Sequence, residues 1–210
     1  MIGRRSNRPP ALVEPTVWSA EAPRVTAAWI SRPRVGEVES GDDVIVLERR
    51  DAVFLVVVDA LGHGPNAARV ARAATEWVRS TTDAATVLDI SNGLHRALQG
   101  SRGAAALVVA ASAAGVEACG VGNVDLRSVS GRLPFVLTPG VLGVRLRSPR
   151  SCRVDAPVAE RFVMFSDGIS GRFDLKALAA MSPGEAATHV FAKHRHSHDD
   201  STVLVADVAL

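Results

Sequence analysis

The sequence predicts an α+β domain in which strands supply the core, and three observations lead there. Short apolar runs of strand length recur from one end of the chain to the other, beginning with Phe54 to Val58. Two stretches of helical periodicity follow that run and two more precede the last strand. Finally, small residues dominate the strands at 104–111 and 115–122. Such strands fill little volume each, so a second sheet is expected to approach them closely.

Composition bounds the answer. Hydrophobic residues make up 47% and charged residues 22% of 210, a globular rather than disordered balance that suits one domain over 16–210. The 24 basic and 22 acidic residues leave a net charge of +2, which gives no basic face for nucleic acid. No run approaches the roughly 18 apolar residues of a membrane span. The first residues, MIGRRSNRPPALVEP, lack the apolar region of a signal peptide, so a cytoplasmic protein with a flexible arm over 1–15 is expected. Cys119 and Cys152 have no ligand or redox spacing and read as reduced thiols.

In chain order, Val25 to Ile30 reads as a first strand, with Trp29 as a core or edge aromatic. Val44 to Leu47 and Ala52 to Asp59 read as an antiparallel hairpin. The hairpin makes neighbours of Asp42 or Asp43 at one strand end and Asp59 at the other. Gly62, His63 and Gly64 form a turn, and Pro65 suits the start of a helix whose buried stripe is Ala67, Val70, Ala71, Ala74, Trp77 and Val78. A second helix is expected over about 84–99, with His95 as a surface or structural residue. Strands follow at 104–111, 115–122 and 124–129, then at 134–137, 141–146 and 161–166. Helices at 175–181 and 183–194 come next, the latter capped by Ser182 with Glu185. The run HRHSH at 194–198 reads as solvated loop histidines. The last strand covers 201–208.

The acids carry the chemistry. Asp42, Asp59, Asp167 and Asp199 each stand where a strand meets a loop, and four clustered carboxylates cannot all stay ionised without cations. Oxygen ligands without cysteine or histidine favour Mg²⁺ or Mn²⁺ over zinc. Two such ions can activate a water and neutralise a phosphoryl group, so metal-assisted phosphoester hydrolysis is the expected chemistry.

The ordered motifs SGD (40–42), DALGHG (59–64), RGAAALV (102–108), GVGNV (120–124), SDGI (166–169) and DDSTVLV (199–205) resemble those of the metal-dependent serine/threonine protein phosphatases of type 2C. Within that group they are similar to the small bacterial SpoIIE-like branch with its RsbX-like members. The resemblance spans nearly the whole chain beyond the arm. It implies a four-layer α-β-β-α sandwich of two antiparallel sheets flanked by helices, with two Mn²⁺ or Mg²⁺ ions in a cleft at one end. It also implies that Asp59 bridges both ions and the Ala60 carbonyl completes one site. Asp42, with Asp43 as an alternative, would join Asp167 and Asp199 at the second ion, with Asp200 beside them. A metal-activated water would then release phosphate from phosphoserine or phosphothreonine on a signalling protein, such as a STAS-domain or stressosome component of a stress response.

His63 is either a general acid or a brace for the turn. Family members read Gly where this chain has Ala60. A left-handed backbone there would add about 1–2 kcal/mol of strain to a non-glycine residue. An alternative role follows from that departure: a catalytically weak or inactive module that binds a phosphoprotein partner.

Overall fold

Twelve strands and four helices build the chain in the computed structural model, which describes residues 16–22, 24–156 and 159–210. The expected arm, 1–15, lies outside the described residues. Strands β1 (Trp18–Ala22) and β2 (Val25–Arg32) come first, then the hairpin β3 (Asp42–Glu48) and β4 (Ala52–Ala60). Helices α1 (Gly64–Ser80) and α2 (Val87–Ala97) follow. Next are β5 (Ala104–Ser112), β6 (Gly115–Val121), β7 (Asp125–Ser128), the two-residue pair β8 (Gly140–Val141) and β9 (Arg145–Leu146), β10 (Ser151–Asp155) and β11 (Ala159–Phe165). Helices α3 (Leu175–Leu178) and α4 (Pro183–His194) lead into β12 (Ser201–Ala209).

Two five-stranded antiparallel sheets, ordered β1-β2-β12-β11-β7 and β10-β6-β5-β4-β3, face each other. Leu55, Val57, Leu107 and Val109 of one meet Phe162, Met164 and Leu204 of the other in the central core. The next residues along each strand point outward. Val56, Val58, Val108 and Cys119 pack under α1 and α2 through Ala67, Ala71, Ile90 and Leu94. Ile30, Val163 and Val205 pack under α3 and α4 through Leu178, Val190 and Phe191. The result is a four-layer α-β-β-α sandwich. With both sheet faces covered, a strand such as β4 can be apolar at every position, which is why Phe54 to Val58 reads as one unbroken run.

The structure departs from the sequence reading mainly at edges. Strands β1 and β10 were not foreseen: both are five-residue edge strands whose alternating positions, Trp18, Ala20 and Ala22 in one and Cys152 and Val154 in the other, offer too little apolar bulk to stand out. The 134–137 stretch forms no strand, and α3 is a single turn rather than running to residue 181. Helix α2 starts at Val87 because Thr86 and Asp89 close a capping box there. His95 is structural, its Nδ1 accepting the Gly143 N–H at 3.0 Å.

Candidate active site

Strand register brings the acids together. In the β3–β4 hairpin Asp42 lies directly opposite Asp59. Side chains alternate along a strand, so Asp59 shares the inter-sheet face of Leu55 and Val57, and Asp42 that of Val44. Asp43, one residue on, faces the other way, and its Oδ2 accepts a hydrogen bond from Thr75 of α1 at 2.7 Å. The opposite sheet contributes the other acids: Asp167 follows β11 and Asp199 precedes β12, and these strands are antiparallel neighbours. The ends of both strand pairs therefore face a cleft of about 350 Å³ lined by Asp59, Asp167 and Asp199 with Arg34, Asn123 and His63. Asp42 is buried, at 5% exposure, on the same inner face.

Each acid is oriented by a neighbour. Ser166 is fully buried and bridges the sheets: its Oγ donates to Asp42 Oδ2 at 2.6 Å and accepts the Thr202 N–H at 3.0 Å. Asn123 Nδ2 donates to Asp167 Oδ2. Asp199 Oδ1 accepts the Asp200 N–H at 2.9 Å. Asp200 turns away from the cleft and holds the loop before β3, accepting the Arg34 N–H at 2.8 Å and the Gly41 N–H at 2.7 Å. Gly41 is confined there, since a Cβ would lie 2.8 Å from both the Asp200 carboxylate and the Ala67 methyl.

The electrostatics are those of acids crowded together. Burial, followed by the charges of Asp42, Asp167, Asp199 and Asp200, pushes the Asp59 carboxyl up to about 9. Burial raises Asp42 to about 7, against the Ser166 and Thr202 hydroxyls, which favour its ionised form. Asp167 is raised by burial and by Asp199, while hydrogen bonds from Asn123 and Asp59 oppose the shift. Among the described residues, no three acids, histidines or cysteines stand ready-made as a metal cage.

Ala60 differs from the strained alternative considered above. It is the last residue of β4, and Arg24 is the only non-glycine residue with positive φ among the described residues. Its N–H donates to Gly41 O at 2.9 Å, and its methyl is fully buried against the α1 side of the sheet. No left-handed conformation is required, so alanine presents the carbonyl without that strain.

His63 is the backbone N-cap of α1 and makes no side-chain cap; its Nδ1 instead meets Glu37 Oε1 at 2.7 Å. His198 lines the cleft and its ring lies 5.4 Å from that of His196, so the 194–198 run reaches the site rather than only solvent. Ser166 and Asn123 sit inside motifs noted in the sequence, yet their roles depend on contacts 124 and 44 residues away, which no local pattern announces. A larger groove of about 700 Å³ along Val17, Met181 and His189 has one acid, Glu185, already engaged in the α4 capping box.

No protein-family model matches the chain, and no curated protein sequence matches it. Solved structures do. The chain's fold is that of the type 2C serine/threonine phosphatases: it superposes on the catalytic domain of the phosphatase PstP in complex with two manganese ions, with a TM-score of 0.69 and 15% identity, over 93% of this chain and 100% of that one. More particularly it is RsbX-like, matching RsbX in complex with magnesium at a TM-score of 0.79 and 20% identity over 92% of this chain and 100% of that one. A protein solved in work on the bacterial stressosome, a modular system adapted to control secondary messenger signalling, matches with a TM-score of 0.80 and 29% identity, over 87% of this chain and 98% of that one.

Proposed function

We propose that the chain is a metal-dependent phosphatase that hydrolyses phosphoserine or phosphothreonine on a bacterial signalling protein, with a STAS-domain or stressosome component as the substrate class. One observation carries the reading: Asp42, Asp59, Asp167 and Asp199 converge at one end of the sandwich, where burial and then the neighbouring carboxylates raise Asp59 to about 9. Such a cluster fits hard divalent cations, because its donors are oxygens and a positive charge offsets the burial and crowding that push Asp59 up. Asp59 and the Ala60 carbonyl would hold one ion, with Asp59, Asp42, Asp167 and Asp199 about the other. When bound, two Mn²⁺ or Mg²⁺ ions supply an activated water and neutralise phosphoryl charge.

The chain's own residues do the rest. Ser166 fixes Asp42, Asn123 fixes Asp167, and Asp200 holds the loop that brings Gly41 against Ala60. His63, its Nδ1 held by Glu37, would as the imidazolium donate the Nε2 proton to the departing serine or threonine oxygen and be left neutral with its Nδ1–H on Glu37. The extended backbone at Ala60 supports the active reading over an inactive phosphoprotein-binding module, because alanine there carries no left-handed strain. The test is release of phosphate from a phosphoserine peptide with Mn²⁺. Asp59→Asn and Asp167→Asn are each expected to lower kcat at least a hundredfold, and activity that survives both changes or a chelator would end the proposal.

A further inference from the structure

Exposed apolar side chains scattered singly need no explanation. Four of them, however, stand on three segments that meet beside the acid cleft, whose lip Leu61 forms: Val35 is 70% exposed, Val38 93%, Leu61 42% and Val144 61%. Contacts join these segments to one another. The loop bearing Val35 and Val38 is fastened to the turn after β4 by the contact between Glu37 and His63. In that turn the Leu61 N–H donates to Gly103 O at 3.0 Å, and Gly103 lies against Val144. Leu61 also lines the cleft, so the lip begins where the acids end. Two cations flank it: Arg34 lines the cleft, and Arg102 donates to Leu61 O at 3.0 Å.

We propose that this lip is a docking surface for the polypeptide on either side of the phosphorylated residue, and that it selects apolar flanking residues. The proposal rests on the phosphatase reading above. The occupant follows from continuity with the cleft: a protein that places a phosphoryl group among the acids must extend past it across the lip. A small phosphorylated metabolite ends at the cleft and leaves the four apolar side chains in water. Arg34 and Arg102 suit the phosphate and disfavour basic residues beside it.

The test uses the full chain with Mn²⁺ and two labelled phosphoserine peptides, identical except for Leu and Val or Ser and Asn beside the phosphoserine. Binding is read by fluorescence anisotropy and turnover by phosphate release. The apolar peptide is expected to be preferred about tenfold, the scale of burying one or two valine-sized side chains. Val38→Ser with Val144→Ser, both at exposed positions, is expected to erase that preference, and Val35→Ser to reduce it. Phosphate release at equal rates from both peptides overturns the docking surface and leaves the phosphatase reading standing, as does a preference untouched by the double change. Selective binding without release upholds the surface and removes the phosphatase reading. Neither binding nor release overturns both.

Discussion

Asp59 and Asp42 titrate higher in the folded chain than in the unfolded one, where an aspartate sits near 3.9, about the ordinary value. The folded protein therefore holds more protons than the unfolded one above that value. Stability is fully present below the unfolded pKa and is lost as pH rises through about 7 for Asp42 and about 9 for Asp59. A cation bound by these acids opposes the loss, so added Mn²⁺ is expected to raise Tm more at about pH 8 than at about pH 5. Asp59→Asn should flatten the metal-free slope; a slope unchanged by it would mean the acid is not buried as described. Ala60→Gly is expected to cost about 1–2 kcal/mol in urea denaturation, from a freer backbone and a lost buried methyl, with no gain in activity. At this scale the acids were legible because charge at a strand end is conspicuous. Ser166 and Asn123 were not, because a buried hydroxyl or amide declares its purpose only through a partner distant in sequence.

Elements meet at the site with little room to spare. The 167–168 turn passes so close to the start of β12 that a Cβ on Gly168 would lie 1.8 Å from Asp200 O. Gly168→Ala is expected to destabilise by about 3 kcal/mol and to abolish activity, read by urea midpoint and phosphate release. On the outer face, Arg161 of β11 pairs with Asp207 of β12 and donates to the Leu178 and Met181 carbonyls, fastening α3 to the sheet with only 10% of its side chain exposed. Arg161→Met should cost about 2–3 kcal/mol while sparing the acids' geometry, so stability is expected to fall further than kcat at low temperature. The buried central strands and the capping boxes of α2 and α4 carry strong local signals. Edge strands β1 and β10 do not, since each is only five residues long and alternates with few bulky apolar side chains.

For the molecule as a whole, the layering could be anticipated from Ala-rich strands that need close neighbours, while the strand order could not: β12 enters between β2 and β11, joining residues at opposite ends of the chain. That insertion has a temporal meaning. Asp199 and Asp200 stand at its head, and Asp200 reaches back 159 residues to the Gly41 N–H. Until the last strand has left the ribosome and found its slot, Asp199 has no position and the loop before β3 has no anchor. A nascent chain stalled short of residue 199 would expose an incomplete centre, so the acid cluster is assembled late in synthesis, as a property of the finished sheet rather than of any segment made earlier.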